Sequence, residues 1–191
     1  LINSMGKVLY PTVAKKYQTT TSRVESAIRK AIEIAWDRGD ADVLNSYFGY
    51  TIQNNRGKTT PSEFIAQIAD HVLLETENDP WVIKVSDTLR QLGVPADIKG
   101  HRYLRTAILL TLKDSDLVDS VCQTLYPSVA KEYQTTASSV ASAIRKAIEI
   151  AWDRGDVDTF ASYFGYNCGK PTNSEFIAMI ADILRLKYRF F

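Results

Sequence analysis

Charged side chains near the start of one predicted helix have a spacing that suits recognition of a nucleic acid. Arg23, Glu25 and Arg29 occupy the first turns of this helix, and Lys30 follows directly. An arginine can donate two hydrogen bonds to guanine in the major groove of DNA, and a glutamate can accept one from cytosine. The pattern therefore predicts a helix that reads base edges, with a solvated charged face as the alternative for Arg29 and Lys30.

Glu25 has a second interpretation, because Ser22 and Glu25 have the spacing of a capping box. In such a box, both side chains bond free backbone N–H groups at the start of a helix. A base contact and a cap are therefore both open for Glu25 at this point.

No other group of side chains indicates catalysis or cofactor binding. The sequence has no Ser/His/Asp arrangement and no glycine-rich phosphate loop, and His71 and His101 have no further metal ligand at suitable spacing. Cys122 and Cys168 lie far apart, as in a reduced protein with incidental thiols. We therefore expect no enzyme, no metal and no other cofactor.

Composition narrows the choice of partner. The formal net charge is +1, so the chain does not bind nucleic acid through bulk positive charge, although a local basic face remains open. The sequence has no apolar run of about 18 residues, so we expect no membrane span. The apolar share of 45% is ordinary for a globular protein with a buried core.

The stretch that contains these charged residues occurs twice. Residues 9–50 and 125–166 align without gaps and differ at nine of 42 positions. Both copies then pass through loops of different length and continue with Ser-Glu-Phe-Ile-Ala. The second copy also has a front portion, residues 81–116, that has no counterpart in the first. We expect the first copy to be truncated, or to borrow its first helices from a partner, with truncation the simpler explanation.

The repeat predicts two domains. Copy 1 comprises residues 1–74, an acidic linker comprises residues 75–80, and copy 2, which is complete, comprises residues 81–191. At about 3.5 Å per residue the linker spans at most ~20 Å, so the two copies are expected to be neighbours.

Apolar residues recur at helical spacing throughout and predict an all-α fold, a helix-turn-helix bundle of about six helices per complete copy. The helices predicted for copy 2 comprise residues 82–92, 101–112, 114–125, 127–133, 138–154, 157–164 and 174–187. Gly155 is expected to end the long helix, and Thr172 and Glu175 to form a capping box. A short helix, a polar turn and a longer helix form the helix-turn-helix arrangement, whose second helix enters the major groove.

The differences between the copies are concentrated in this motif. The substituted pairs there are Lys16/Glu132, Thr21/Ala137, Arg23/Ser139 and Glu25/Ala141. Residues 15–38 carry a formal charge of +3, and residues 131–154 carry +1. The core-facing residues of the motif are unchanged. We therefore expect copy 2 to keep its fold and to have lost much of its ability to read DNA.

Several segments in order resemble the C-terminal effector domain of stage 0 sporulation protein A, the response regulator of endospore formation. They are GVPADIKG from Gly93, YLR from Tyr103, LYPSVAKEYQTTASSV from Leu125, AIEIAWDRG from Ala147 and PTNSEFIAMIADILRLK from Pro171. The resemblance extends over residues 83–187 and 1–74. It implies a six-helix fold and a cytoplasmic transcription regulator that binds double-stranded DNA in a spore-forming bacterium.

The resemblance also implies roles for particular residues. Copy 1 keeps the family's recognition-helix pattern except for Ser26, where the family has arginine, whereas copy 2 keeps only Arg145. The candidate DNA-binding residues are Lys15, Lys16, Thr20, Ser22, Arg23, Glu25, Ser26, Arg29 and Lys30 in copy 1, and Ser139, Ser142, Arg145 and Lys146 in copy 2. The candidate contacts to the sigma subunit of RNA polymerase are Arg38, Asp40, Phe48, Arg154, Asp156 and Phe164.

Two functions follow from these expectations. The first is a sequence-specific DNA-binding transcription regulator with copy 1 as the main reader, acting as a homodimer or through pairing of its own copies. The alternative is an interaction module that does not read DNA and antagonises an intact sporulation regulator or binds RNA polymerase.

Overall fold

The computed structural model describes residues 5–48, 59–166 and 169–188. Within these ranges it contains ten α-helices and no strand, which confirms the all-α prediction. The helices are α1 Tyr10–Lys16, α2 Thr21–Arg38, α3 Ala41–Phe48, α4 Pro61–Glu75, α5 Pro80–Gln91, α6 Lys99–Lys113, α7 Tyr126–Glu132, α8 Ala137–Arg154, α9 Val157–Phe164 and α10 Asn173–Lys187. A π-helical turn, Met5–Leu9, precedes α1.

Six of the seven helices predicted for copy 2 agree with the structure to within two residues at each end. The prediction of one helix over residues 114–125 is wrong, because a 3-10 helix, Ser115–Val118, and a π-helical turn, Val121–Leu125, take its place. The carboxylate of Asp114 accepts from the N–H of Asp116 at 3.1 Å. A side chain that bonds the adjacent backbone competes with a regular helix, and apolar spacing does not reveal this.

Copy 2 is assembled around α6, which packs against α5, α8 and α10. Gly100 lies where α6 crosses α8. A Cβ atom at this position would lie 2.2 Å from the carbonyl oxygen of Ala143 and 2.7 Å from the Cβ of Ala147. Only glycine permits this approach of the two helices. Leu104 and Ile108, one and two turns further along α6, are fully buried in the same core.

Copy 1 comprises α1–α4 and has no counterpart of α5 or α6 among its described residues. Its largest buried cluster consists of Met5, Tyr10, Ala14 and Val24, around α1 and the start of α2. A separate group of rings joins α2, α3 and α4, with Trp36, Phe48 and Phe64 in mutual contact. The buried core of copy 1 is therefore much smaller than that of copy 2.

One face of α4 lies against copy 2 and joins the two copies. The carboxylate of Asp70 accepts from Nη1 of Arg105 at 2.8 Å, and both side chains are about four-fifths buried. His71 Nδ1 lies 3.0 Å from Nη1 of Arg90, and since arginine can only donate, the imidazole nitrogen accepts. Ala66 is almost fully buried on the same face of α4.

Glu63, in the first turn of α4, completes this contact. Its Oε2 atom lies 3.9 Å from Nη1 of Arg154 at the end of α8. Burial raises the pKa of Glu63, the charge of Asp97 adds to the increase, and Arg154 and the backbone of Thr60 oppose it. The carboxyl group therefore lies at the contact between the copies, where burial disfavours its charged form and Arg154 favours it.

His101 lies beside this contact and is 1% exposed. Burial lowers its pKa to about 4, and the charges of Arg105, Arg90 and Arg102 act in the same direction, against that of Asp70. His101 is therefore a neutral core residue at neutral pH.

This arrangement makes the stability of the protein dependent on pH. Below its ordinary pKa of 6.5 the unfolded chain binds a proton at His101, whereas the folded protein binds it only near pH 4. The free energy of unfolding therefore falls as the pH drops from 6.5 towards 4, by up to about 3 kcal/mol from this group. Urea unfolding at a series of pH values measures the effect, and His101→Gln should flatten the profile. A variant with the same profile as the parent would contradict this role.

The ion pair of Asp70 can be tested against a matched site in copy 2. Asp70→Ala leaves Arg105 without its carboxylate and should lower the free energy of unfolding by about 1–3 kcal/mol. Asp182 occupies the same position in α10 and is exposed, so Asp182→Ala should change it by less than ~0.5 kcal/mol. Urea unfolding of both variants measures the difference, and equal losses would show that α4 does not hold the copies together through this pair.

Candidate nucleic-acid interface

The turn between α1 and α2 has the same backbone conformation in both copies. Gln18 and its equivalent Gln134 both have φ of 50°, in the left-handed region that residues other than glycine adopt rarely. The N–H of Thr19 bonds the carbonyl of Ala14 at 2.9 Å, and the equivalent bond in copy 2 has the same length. A turn held in this conformation sets the angle at which α2 leaves α1.

Thr20 is the N-cap of α2. It has extended backbone dihedrals, and its hydroxyl accepts from the N–H of Arg23 at 3.3 Å. Thr136 caps α8 in the same way through Ser139. The interpretation of Ser22 and Glu25 as a capping box is therefore wrong, because the helix begins two residues earlier than that box requires.

Glu25 instead pairs with Arg29 along α2. Its Oε1 atom accepts from Nη2 of Arg29 at 2.8 Å, and both side chains remain about half exposed. An exposed pair at this spacing contributes only about 0.3–0.5 kcal/mol to stability. Its main effect is to hold the guanidinium close to the helix surface. Burial raises the pKa of the nearby Tyr10, Glu25 adds to the increase, and Arg29 opposes it.

The remaining candidates in copy 1 form an exposed face. Arg23, Ser26 and Lys30 are exposed at positions i, i+3 and i+7 of α2, whereas Val24 between them is buried. Lys15, Lys16 and Ser22 are exposed beside this face, at the end of α1 and the start of α2. The structure therefore brings the candidates of copy 1 together on one surface.

The equivalent surface of copy 2 has the same backbone and different side chains. Ser139 lies 2.8 Å from the hydroxyl of Thr136 and so belongs to the cap. Arg145 has Ala141 at the position where Arg29 has a glutamate. Ser142, Arg145 and Lys146 are exposed. The copy 2 surface retains two cations, Arg145 and Lys146. It lacks the arginine and the glutamate that copy 1 has in the first turns of α2.

Two contacts of copy 2 were not predicted from the sequence. Glu132, which replaces Lys16, accepts from the hydroxyl of Thr106 on α6 at 3.2 Å. Asn173 donates to the hydroxyl of Tyr126 at 2.9 Å and to the carbonyl of Ala141 at 3.0 Å, which ties the start of α8 to α10. The equivalent of Asn173 in copy 1 is Pro61, whose side chain cannot donate a hydrogen bond. The sequence therefore already showed that copy 1 lacks this donor.

The structure places the candidate sigma contacts in three settings: two exposed arginines, two aspartates that cap helices, and two phenylalanines in ring stacks. Arg38 and Arg154 are exposed, and Arg154 faces Glu63. Asp40 and Asp156 cap the next helices, where Asp40 accepts from two N–H groups of α3.

Phe48 is 4% exposed and stacks on Phe64 with a centroid distance of 4.8 Å, so its prediction as a surface contact is wrong. Phe164 is half-buried and stacks on Phe160 and Phe176. Aromatic rings that pack beneath α3 and α9 can shape a surface there without touching a partner.

Other kinds of site find little support in the described part of the chain. No group of three or more His, Cys, Asp or Glu side chains in these ranges could hold a metal ion. No helix of the described residues has the length and apolar character needed to cross a membrane. Cys122 is an exposed free thiol, and Cys168 lies outside the described residues.

The short first helix, the fixed turn and the exposed polar face of the second helix define the helix-turn-helix class of DNA-binding domains. The family model described as sporulation initiation factor Spo0A C terminal matches residues 1–72 and 85–184. The chain therefore belongs to this family and contains its domain as two tandem copies. The family is the DNA-binding effector domain of a sporulation regulator and not a catalytic domain, so the chain has a sporulation-related DNA-binding role.

The position of the helix cap can be tested by alanine substitution. Thr20→Ala removes the only side-chain acceptor at the N-cap of α2 and should lower the free energy of unfolding by about 1 kcal/mol. Ser22→Ala is the matched control and should change it by less than ~0.5 kcal/mol. Thermal or urea unfolding measures both, and a larger loss for Ser22→Ala would restore the capping box with Glu25.

Proposed function

We propose that this chain is a sequence-specific transcription regulator in which copy 1 makes the base contacts. The observation that carries the proposal is the exposed face of α2, where Arg23, Ser26 and Lys30 lie in a row beside the Glu25–Arg29 pair. In helix-turn-helix proteins the first turns of the second helix contact base edges in the major groove. These are the turns that hold the exposed arginines of copy 1.

Each side chain has a distinct part in this proposal. Arg23 extends from the first turn of α2 and donates to guanine. Arg29 also donates to guanine, and its ion pair with Glu25 restricts where its guanidinium can lie. Glu25 can also accept from cytosine if the pair opens on DNA. Lys15, Lys16 and Lys30 contact phosphates, which fixes the register of the protein on the duplex. Thr20 and Ser22 support the start of the helix and are placed for backbone contacts.

Copy 2 is proposed to bind the DNA backbone without reading sequence. Ser142, Arg145 and Lys146 remain exposed on α8, whereas the hydroxyl of Ser139 contacts that of Thr136. Copy 1 at residues 1–74 and copy 2 at 81–191, joined by residues 75–80, then act as one strong and one weak binding domain. Covalent linkage gives the weak domain a high effective concentration, so that no second chain is needed for it to bind.

A second candidate function concerns RNA polymerase. Arg38 of copy 1 is exposed, whereas its counterpart Arg154 faces Glu63 across the contact between copies. If the sigma subunit binds the surface around this arginine, that surface is more accessible in copy 1 than in copy 2. The protein would then act in the cytoplasm, without catalytic activity, as a regulator or as an antagonist of an intact family member. Binding of purified sigma subunit by the parent and by Arg38→Ala separates this candidate from DNA binding alone.

The reading function is tested with a matched pair of variants in the full chain. Duplexes that bind the parent protein are first selected from a library of random double-stranded DNA. The affinity of the protein for the recovered duplex is then compared with its affinity for the starting library, at a series of salt concentrations. Arg23→Ala should reduce this preference by about 1–3 kcal/mol, since it removes a bidentate contact to guanine. Ser139→Ala, at the same position of copy 2, should leave it unchanged.

The outcomes are distinct. A parent that recovers no preferred sequence from the library excludes base reading and favours the polymerase candidate. If Ser139→Ala weakens the preference as much as Arg23→Ala, then copy 2 reads DNA and the division of labour between copies is wrong.

A further inference from the structure

Copy 2 has a cleft of about 490 Å³ between α8, the π-helical turn before α7 and the segment that leads into α10. Part of its wall is apolar, because the buried side chains of Val121, Tyr126 and Ile148 line it. Clefts that bind small molecules have volumes of roughly 300–1,000 Å³ and mostly apolar walls with a few placed polar groups. The size and lining of this cleft therefore suit a small organic ligand.

Arg145 supplies the net charge of this cleft, which we call the Arg145 cleft. Its side chain is exposed, lines the cleft and forms no ion pair within the described part of the chain. Lys170 also lines the cleft, but its Nζ lies 3.2 Å from Oε1 of Glu149, which lines it as well, so these two charges offset each other. A guanidinium binds a carboxylate through two parallel hydrogen bonds. The cleft therefore suits an anion with a single charge.

Several residues of the Arg145 cleft differ from their counterparts in copy 1, among them the pairs Gly6/Cys122, Glu25/Ala141 and Pro61/Asn173. In copy 1, Oε1 of Glu25 accepts from Nη2 of Arg29 at 2.8 Å. Alanine at the equivalent position of copy 2 leaves the guanidinium of Arg145 without this carboxylate and takes a longer side chain out of the wall. The differences between the copies thus change both the charge and the space of one cleft.

Asn173 links two sides of the Arg145 cleft. Its Nδ2 atom donates to the hydroxyl of Tyr126 at 2.9 Å and to the carbonyl of Ala141 at 3.0 Å. Burial raises the pKa of Tyr126, the hydrogen bond from Asn173 lowers it, Cys122 raises it and Arg145 lowers it. Arg145 and the exposed thiol of Cys122 therefore both lie near the same hydroxyl, and a ligand bound to the arginine would lie close to the thiol.

We propose that the Arg145 cleft binds a small organic acid, whose carboxylate pairs with Arg145 and whose apolar body covers Val121 and Ile148. Inorganic phosphate is a poorer match, because a second negative charge would have to compete with Glu149 for Lys170. The proposal does not depend on the DNA-binding function proposed above, since binding is measured on the full chain without DNA.

Protection of Cys122 from alkylation tests the proposal. The full chain reacts with iodoacetamide in the presence of increasing 2-naphthoate or, separately, octanoate, and mass spectrometry of its peptides gives the rate at Cys122. At least one of these acids should slow the reaction in a saturable manner, and calorimetry should give the same affinity. The amide of the protective acid has the same apolar body without the charge, so it should need about tenfold or more of the concentration.

Substitutions at matched positions of the two copies locate the acid. Arg145→Ala removes the charged donor and should weaken the acid by about tenfold or more. Ala141→Glu should weaken it by a similar factor, because it supplies the carboxylate that pairs with the equivalent arginine in copy 1. Arg29→Ala is the matched control in copy 1 and should leave the affinity for the acid unchanged. All three positions lie on helix surfaces, where such substitutions have little effect on folding.

Four results would overturn the proposal. The first is that neither acid protects Cys122, and this includes an acid that binds in calorimetry but leaves the thiol reactive, since it would then bind elsewhere. The second is that Arg145→Ala retains full protection. The third is that the amide protects as well as the acid, which would indicate apolar contact alone. The fourth is that inorganic phosphate protects at a lower concentration than either acid, which would exclude the organic acid as the preferred ligand.

Discussion

The crossing of α6 over α8 at Gly100 is the contact around which the larger half of this protein is arranged. Because no side chain separates the two backbones there, Leu104 and Ile108 reach into a core that α10 closes from the other side. The crossing occurs once in the described part of the chain. In copy 1 no described helix covers the equivalent surface of α2, and the described buried residues form two small groups and not one continuous core.

Because the two copies differ in this way, the two faces of helix α4 have different surroundings. Its polar face, with Asp70 and His71, meets arginines of α5 and α6 and fixes copy 1 to copy 2. Its apolar face is covered by no helix of the described residues, whereas α6 packs against α10 in copy 2. Copy 1 is thus supported by copy 2 along one side of α4.

The recognition surfaces have diverged on a constant scaffold. Gln18 and Gln134 keep the same left-handed turn, and Thr20 and Thr136 keep the same cap, because both features determine where the second helix begins. Exposed positions such as Arg23 and Glu25 on the surface of the second helix contribute less to stability and can change more freely. Exposed recognition residues of this domain can therefore differ between copies while the fold stays the same.

The sequence by itself determined the helices, the repeat, the helix-turn-helix motif and the family, because periodicity and capping act between residues a few positions apart. Local signals were insufficient where a side chain of Asp114 bonds the adjacent backbone and breaks the helix, and where Thr20 and Ser22 both offered a cap. Only the tertiary structure decided which surfaces are covered. Phe48 is buried because α4 returns to stack Phe64 on it, and Ala31 is exposed where the identical Ala147 is buried. Burial depends on segments distant in sequence, and identical residues of the two copies therefore differ in exposure where only copy 2 has a described helix that covers them.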